Sequence, residues 1–267
     1  MRGGFMRVFE RAVEGIYRLK IPFDTVYTSV FLIERDGEYI LMDCATTEGD
    51  VKNYILPALQ KKGVFLNKIR YLVVSHHHED HAGGLPFLIP CLKNAEVITE
   101  ERTLFEGIFT YALSGHTRDC IGLLDLRSKT LISADAVQGY GVDKYRCTLH
   151  DEEGYLATLE KIRKDDRIEN ILFSHAYEPW RRDCAFGKEE IINCLRYSES
   201  YTKKENYMKA IVINKADQSL SYTDVPHPVL KAGEVLIETY AAALNRADLL
   251  QREGNYPPPP VVPSGLV

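Results

Sequence analysis

The sequence lacks features that are typical of nucleic-acid-binding, membrane-spanning and secreted proteins. Its 33 basic and 38 acidic residues leave a formal net charge of −5, so we expect no nucleic-acid partner and no anionic lipid surface. No apolar run reaches about 18 residues, so we expect no membrane span. The charged segment 1–11 lacks an apolar stretch, so we expect no secretory signal and a cytoplasmic location.

Paired cysteine motifs are also missing. The chain has six cysteines, and none stands in a CxxC pair. In the expected cytoplasmic location, such cysteines are reduced thiols. Cys44 and Cys120 lie next to chemically interesting segments, and we interpret them as small buried side chains rather than regulatory thiols.

The composition changes along the chain near residues 205–208. All six cysteines precede Met208, seven of the twelve prolines fall in the last 60 residues, and the segment 197–207 is polar and charged. Such a shift is typical of a linker between domains. We therefore predict one domain at 1–205 and a second, smaller one at 208–267.

Strand and helix patterns alternate in the first domain. The predicted strands, rich in β-branched and aromatic residues, are 15–21, 26–33, 38–43, 69–74, 96–99, 108–113, 121–126, 130–133 and 168–173. The predicted helices, with apolar residues on one stripe, are 47–63, 84–92, 152–164 and 188–199. Strands in two layers with helices outside give an α/β sandwich.

The segment 75–84, SHHHEDHAGG, directly follows a predicted strand and concentrates metal-binding side chains. His76 and His78 are two residues apart, so in an extended chain they point to the same side. Asp80 and His81 follow a change of direction and can face a second point nearby. We interpret the intervening His77 and Glu79 as bystanders that face away.

Three more polar residues, His116, Asp135 and His175, each follow a predicted strand of their own. If these strand ends gather at one edge, five histidines and two aspartates converge. Imidazole and carboxylate suit Zn²⁺, Mn²⁺ or Fe²⁺. Two such ions about 3.5–4 Å apart can share a hydroxide, because they lower the pKa of water to about 7. The residues therefore predict a dinuclear metal site.

The candidate ligands occur in a fixed order along the chain: His76-x-His78-x-Asp80-His81, then His116, Asp135 and His175. This ordered set, with Asp43 after the third predicted strand, resembles the metallo-β-lactamase superfamily over about residues 10–200. The resemblance implies a four-layer αββα sandwich.

Carried over residue by residue, the resemblance also implies roles for these side chains. The first metal is expected on His76, His78 and His116, the second on Asp80, His81 and His175, with Asp135 bridging the two ions. Asp43 is expected behind the ligands, where it orients one of them. Asp80 and Asp135 are the expected catalytic residues, and Asp80 can accept or return a proton during turnover.

The implied activity is that of a hydrolase with two zinc ions per chain, iron or manganese being alternatives. A metal-bridging hydroxide would cleave a small-molecule ester, lactone or thioester. One alternative is a persulfide dioxygenase with a single iron on His76, His116 and Asp135. Another is a non-catalytic metal-binding module fused to an oxidoreductase, in which the metal fold serves for folding and dimerisation. A homodimer is therefore one further expectation.

Substrate selection is expected from the loops after Asp135 and His175. Four aromatic side chains there are candidates for a pocket wall: Tyr140, Tyr145, Tyr177 and Trp180. Arg146, Arg181 or Arg182 could meet a substrate carboxylate. The alternative, that these are solvent-facing loop residues, remains equally open.

The segment from Met208 contains three short motifs, 225–228 (VPHP), 233–238 (GEVLIE) and 243–248 (ALNRAD). With these motifs the segment resembles the start of a zinc-independent quinone oxidoreductase of the medium-chain dehydrogenase superfamily. The resemblance implies a small, β-rich, partial GroES-like fragment. The glycine-rich nucleotide-binding turn is missing, so a hydride-transfer enzyme cannot be completed from this segment. It is either a truncated fusion remnant or a structural appendage.

Overall fold

The computed structural model describes residues 7–139, 149–177, 181–200, 202, 207–213 and 220–226. The chain divides into two compact units, Met1–Thr202 and Lys203–Val267. The first contains the predicted metal-binding segments and the second contains the predicted oxidoreductase-like segment. The division into domains at 1–205 and 208–267 stays a prediction.

The first sheet of the larger unit has six strands in sequence order. They are β1 (Glu10–Val13), β2 (Ile16–Phe23), β3 (Val26–Arg35), β4 (Glu38–Met42), β5 (Ile69–Val73) and β6 (Glu96–Ile98). The first four pair antiparallel, while β5 runs parallel to β4 and β6 runs parallel to β5. The carboxyl ends of β4 and β5 therefore lie at the same edge.

The second sheet also has six strands, in the order β12-β11-β10-β9-β8-β7. They are β7 (Thr103–Phe105), β8 (Ile108–Ala112), β9 (Ile121–Asp125), β10 (Thr130–Ala134), β11 (Asn170–Phe173) and β12 (Cys184–Phe186). The pair β10 and β11 is parallel and the other pairs are antiparallel. Strands β1, β7 and β12, of three or four residues each, were not predicted.

The two sheets pack face to face through the core of the larger unit. Phe31 and Ile33 of β3 lie among buried side chains of the second sheet, such as Leu123 and Ile132. Leu32, between them in sequence, lies on the opposite face among helical side chains. The first sheet is thus buried on both faces, which explains its long apolar runs.

Helices cover the outer faces. They are α1 (Glu48–Asp50), α2 (Leu56–Lys62), α3 (Glu79–Ala82), α4 (Leu85–Leu88), α5 (Glu152–Lys164) and α6 (Lys188–Ser200). Predicted helix 47–63 is interrupted by a π-helical turn at Val51–Ile55. Predicted helix 84–92 is one α-helical turn followed by a 3₁₀ turn at Ile89–Cys91, with a proline in each. Side chains of the 48–62 helical stretch join the core of the first sheet, and α6 contacts β11 and β12.

The layers are therefore helix, sheet, sheet and helix, in agreement with the predicted α/β sandwich. Among the helices that the structure describes, none combines the length and apolar character that crossing a membrane requires.

The smaller unit contains an antiparallel hairpin of β13 (Tyr207–Ile213) and β14 (Leu220–Pro226). Tyr207 lies opposite Pro226 and Ile213 opposite Leu220. The remainder of the predicted GroES-like fragment lies outside the described residues.

Candidate metal centre

The topology brings the predicted ligand segments to one edge of the sandwich. Strands β8 and β10 both run antiparallel to β9, and β11 runs parallel to β10, so these three end at the same edge of the second sheet. The segments that carry His116, Asp135 and His175 follow them directly. Asp43 and the segment 75–81 follow β4 and β5 in the first sheet.

Three histidines form the triple-histidine group (His76, His78 and His116). The Nδ1 atom of His78 lies 3.1 Å from His76 Nε2 and 3.1 Å from His116 Nε2. His76 and His116 are buried, whereas His78 is exposed. Three ring nitrogens that face one another this closely can share one cation through their lone pairs.

Four further side chains form the mixed group (Asp80, His81, Asp135 and His175). His175 Nε2 lies 3.1 Å from Asp80 Oδ2, 3.3 Å from Asp135 Oδ2 and 3.4 Å from His81 Nε2. His81 Nε2 lies 3.3 Å from Asp80 Oδ2. Their ligand atoms all lie within 4.8 Å of one another.

Asp135 lies between the two groups. The same Oδ2 atom that is 3.3 Å from His175 Nε2 is 3.8 Å from His116 Nε2 in the triple-histidine group. The structure therefore brings all seven predicted ligands together. Their assignment to individual ions stays a prediction.

Irregular backbone aims Asp135 at the site. The pairing of β10 with β11 shifts register between Ile132 and Ala134, and Ala134 has a positive φ of 48°. A bulge re-aims the side chains beside it, and a left-handed alanine costs about 1–2 kcal/mol. This local strain turns the chain at the end of β10 so that Asp135 faces the histidines.

Asp43 stands behind the mixed group. Its side chain is fully buried, and its Oδ2 atom lies 2.8 Å from His81 Nδ1. Ser75 donates to the same carboxylate twice, from its backbone N–H at 2.8 Å and from its hydroxyl at 2.9 Å. With Nδ1–H donating to Asp43, the Nε2 lone pair of His81 faces the other ligands.

Ser75 was not predicted as a site residue. Its hydroxyl oxygen lies 3.0 Å from His76 Nδ1 and 3.3 Å from His81 Nδ1, in addition to its bond with Asp43. It therefore touches a member of each ligand group. Its position at the end of β5, one residue before the first ligand, was the only sign in the sequence.

The backbone carbonyl of Tyr27 was also missed. His175 Nδ1 donates to it at 2.7 Å, which fixes the ring so that Nε2 faces the mixed group. A backbone oxygen leaves no mark in the sequence, so no motif could have indicated it.

Gly83 and Gly84 allow the segment 75–84 to pack closely against the backbone that follows β4. Both have ordinary helical φ values, −61° and −75°. An added Cβ would lie 2.1 Å from the Thr46 carbonyl oxygen at Gly83 and 2.0 Å from the Cys44 carbonyl oxygen at Gly84. Only glycine permits this approach to the loop that carries Asp43.

The charges of the two groups differ. Burial, together with the neighbouring histidines, lowers the pKa of His76 to about 2, so this ring is neutral. Burial disfavours a charged His175, but the carboxylates of Asp135 and Asp80 outweigh it and raise its pKa to about 10. Burial likewise opposes ionisation of Asp135, yet the positive charges of His175 and His81 hold its pKa well below the usual range.

The donor chemistry fits divalent metal ions. Five imidazoles and two carboxylates converge, and the rings of His81 and His175 are oriented from behind by Asp43 and the Tyr27 carbonyl. Zn²⁺, Fe²⁺ and Mn²⁺ all accept such nitrogen and oxygen ligands, so the donors do not choose among these metals.

The structure describes only some of the predicted substrate residues. Tyr177 lines a small cavity with Asp135, Gln138, Phe173 and His175, and its ring centre lies 5.4 Å from that of His175. Arg182 pairs with Glu190. Tyr140, Tyr145, Arg146 and Trp180 lie outside the described residues.

The residues interpreted as bystanders and buried thiols have clear positions. His77 is exposed and pairs with Asp119, while Glu79 is exposed. Cys44 and Cys120 are buried. Burial raises the pKa of both thiols, which keeps them protonated and unreactive.

Comparison with known proteins points to one superfamily. The family model "Metallo-beta-lactamase superfamily" matches residues 23–105. The beta-lactamase-like protein 2 homolog of Caenorhabditis elegans is 27% identical over 164 residues, which are 53% of this chain and 54% of that protein. Recombination protein 2 of Haemophilus influenzae is 35% identical over 88 residues, 32% of this chain and 11% of that protein. The chain thus spans about half of the first relative and about a tenth of the second.

Solved structures share the fold of the larger unit. A metallo-beta-lactamase from Pseudomonas aeruginosa in its mono-zinc form aligns with a TM-score of 0.58 at 15% identity, covering 74% of this chain and 97% of that one. A flavo di-iron protein from Thermotoga maritima aligns with a TM-score of 0.57 at 18% identity. The alignment covers 75% of this chain and 63% of that one. At these identities the likeness shows the fold alone. Family model, curated relative and fold together support the metallo-beta-lactamase superfamily.

Proposed function

We propose that the larger unit is a metal-dependent hydrolase that uses two divalent ions, zinc in the first instance, to cleave a small-molecule ester, lactone or thioester. The observation that carries this proposal is the place of Asp135, whose Oδ2 atom lies 3.3 Å from His175 Nε2 and 3.8 Å from His116 Nε2. A carboxylate between two ligand groups is suited to hold two ions close together.

Bound divalent ions would polarise the carbonyl under attack and lower the pKa of a water molecule into the neutral range. The protein supplies placement and proton transfer. Asp80, whose side chain is 12% exposed, lies within 3.3 Å of both His81 and His175. It can accept a proton from the attacking water and return it to the leaving group.

The burial of the site adds to this chemistry. His76, His81, His116 and His175 are all at most 8% exposed, so water reaches them from one side. In such a setting electrostatic interactions with the reacting groups are stronger than in bulk water. The exposed His78 and the part-exposed Asp135 mark the open side, where a substrate would enter.

The direct test is hydrolysis of a panel of esters, lactones and thioesters by metal-free protein before and after addition of zinc. We expect turnover only with metal. Asp80→Asn keeps the shape of the side chain and should reduce turnover while leaving one metal on the triple-histidine group. Turnover that is independent of metal, or unchanged in that variant, would contradict the proposal.

An iron-dependent oxygenase is the second candidate. Its support is the shared fold of the flavo di-iron protein and the ligand subset His76, His116 and Asp135, which suits a single iron. Protein purified without added metal would then contain about one iron per chain and take up oxygen with glutathione persulfide. The hydrolase proposal expects about two zinc ions and no oxygen uptake.

A third candidate is a non-catalytic metal-binding module fused to an oxidoreductase fragment, and it draws on the separate compact unit Lys203–Val267. It requires no turnover on the same panel, even with metal added. The cytoplasmic location, the small-molecule partner and the homodimer remain predictions from the sequence.

A further inference from the structure

A half-buried carboxylate outside the ligand set, Asp183, accepts from three donors. Its Oδ2 atom lies 2.6 Å from the Tyr27 hydroxyl, 2.6 Å from Lys20 Nζ and 2.5 Å from an Arg18 guanidinium nitrogen. Arg18 also donates to the Asp183 backbone carbonyl at 2.8 Å. These four residues are called the Asp183 cluster below, and the proposed chemistry does not use any of their side chains.

The Asp183 cluster joins the two sheets beside His175. Arg18 and Lys20 lie on β2 and Tyr27 on β3, in the first sheet, whereas Asp183 immediately precedes β12 in the second. The backbone N–H of Phe173 donates to the Asp183 carbonyl at 3.0 Å. Asp183 is therefore tied to the end of β11, the strand from which His175 projects.

Strand β3 holds the same segment from the other side. The Tyr27 carbonyl accepts a hydrogen bond from His175 Nδ1 at 2.7 Å, and the Ser29 hydroxyl donates to the Ser174 carbonyl at 2.7 Å. Tyr27 thus contacts Asp183 through its side chain and His175 through its backbone. Asp183 therefore contacts Tyr27, and Tyr27 contacts His175. Phe173, two residues before His175, in turn contacts Asp183.

Opposite charges stabilise the Asp183 cluster. Burial opposes ionisation of Asp183, but the charges of Arg18 and Lys20 hold its pKa well below the usual range. Arg18 is 6% exposed, and its guanidinium carbon lies 5.0 Å from the ring centre of Phe31. Removing the carboxylate would leave this buried guanidinium without its charge partner, which is destabilising.

The orientation of His175 depends on the Tyr27 carbonyl. A neutral imidazole donates from one nitrogen and accepts at the other. A carbonyl can only accept, so its bond with Nδ1 keeps a proton there. In the neutral ring that a metal ion would require, the lone pair is therefore on Nε2, which faces Asp80, His81 and Asp135. A shift of the Tyr27 backbone would release the ring from this orientation.

We propose that Asp183 is a positioning residue for the mixed group: by holding the Tyr27 side chain, it fixes the Tyr27 carbonyl that orients His175 towards a metal ion. This inference rests on the proposed metal site. It concerns residues far apart along the chain, since Asp183 and Tyr27 are 156 positions apart.

The chain offers a matched control for the Asp183 cluster. Tyr111 donates to Asp165 Oδ2 at 2.9 Å, and Arg167 pairs with the same carboxylate at 2.6 Å. Among the described residues, the hydrogen bonds and ion pairs of this second tyrosine–aspartate–arginine cluster do not reach the mixed group. Tyr111→Phe and Asp165→Asn therefore remove the same kinds of interaction elsewhere.

The experiment is calorimetric titration of the metal-free full-length chain with Zn²⁺, with a competing chelator, and a melting curve for every variant. His175→Ala identifies which class of zinc binding belongs to the mixed group. We expect Tyr27→Phe and Asp183→Asn to weaken that class about tenfold, the lower end of the range for groups that support ligands. The class that belongs to the triple-histidine group, and both classes in the control variants, should be unchanged.

Equal weakening of both classes, or a lower melting temperature with both classes intact, would show a purely structural brace and overturn the inference. If Asp183→Asn does not fold, Tyr27→Phe decides, because Asp183 keeps Arg18 and Lys20 there. Wild-type protein that binds no zinc would instead overturn the proposed function, so the two failures can be told apart.

Discussion

The two ligand groups share one pocket, but the protein builds them differently. The triple-histidine group has no carboxylate of its own, and the pKa of His76 is so low that its ring is uncharged at neutral pH. The mixed group has two carboxylates and two histidines whose pKa values are raised by them. The mixed group therefore balances opposite charges internally, whereas the triple-histidine group has no negative charge to balance.

The surrounding structure fixes the side chains of the mixed group, which is the group that contains carboxylates. In the mixed group, His81 is oriented by the buried Asp43, and His175 by the Tyr27 carbonyl. Asp135 is aimed by a bulge with a left-handed alanine before it. A group that combines like and unlike charges needs fixed geometry, because small movements change strong interactions. We therefore expect metal affinity in the mixed group to depend more on residues outside the group than metal affinity in the triple-histidine group does.

Removing the shared carboxylate should have the largest effect. Asp135→Asn keeps the volume but removes the negative charge between the groups. We expect metal content to fall from about two ions per chain to about one, and hydrolysis to fall by about 10²- to 10³-fold, since Lewis-acid stabilisation is worth several kcal/mol. Elemental analysis and initial rates measure both. Full occupancy with full activity would show that Asp135 serves only one group, or neither.

Removing one ligand from each group should separate them. His116→Ala opens the triple-histidine group, and His175→Ala opens the mixed group. Each variant should retain about one ion, and turnover should fall by about 10²-fold in both because both ions are needed. Zinc titration of the two variants checks this. Loss of both ions in either variant would mean that the groups do not bind independently.

Removing the carboxylate behind His81 should cost mainly stability and affinity. Asp43→Asn leaves Ser75 and His81 with a weaker partner in a fully buried place. We expect a loss of about 3 kcal/mol in the free energy of unfolding and about tenfold weaker zinc binding in the mixed group. Denaturant titration and calorimetry measure these changes.

Asp125 gives the matched control for Asp43. It is also fully buried, and it accepts bonds from the Arg127 N–H at 3.0 Å and the Ser128 hydroxyl at 2.9 Å. Asp125→Asn should lower stability and leave zinc binding unchanged. A similar loss of zinc binding in both variants would mean that Asp43 acts only through global stability.

The smallest effect is expected at Ser75, whose hydroxyl contacts a histidine of each ligand group. Ser75→Ala removes the hydroxyl that touches His76, His81 and Asp43. We expect about 1 kcal/mol of lost stability and weaker zinc binding in both groups, by less than about tenfold in each. An effect confined to one group would show that the hydroxyl supports only that group.

The sequence was sufficient to predict that the seven candidate ligands converge, because the segments that carry them directly follow apolar strands. Parallel pairing of β4 with β5, and the common direction of β8, β10 and β11, bring those strand ends to one edge. The strand predicted at 26–33 is also present in β3, where Phe31 and Ile33 face the second sheet and Leu32 faces the helices. In these cases the burial of apolar strand residues explains both the sequence pattern and the fold.

The supporting groups could not be predicted. The Tyr27 carbonyl is a backbone atom, and Asp183 meets Arg18 across 165 positions of chain. The bulge before Asp135 depends on pairing between β10 and β11, not on a residue type that marks it. Single-sequence patterns report local periodicity, whereas these contacts arise only after the sheets have packed.

The central claim is that Asp135 joins two metal-binding groups in one centre. Crystals of the full chain grown with zinc and measured at the zinc absorption edge would test it most directly. We predict two anomalous peaks about 3.5–4 Å apart, one among His76, His78 and His116, one among Asp80, His81 and His175, with Asp135 between them. A single peak, or peaks away from these side chains, would contradict the account.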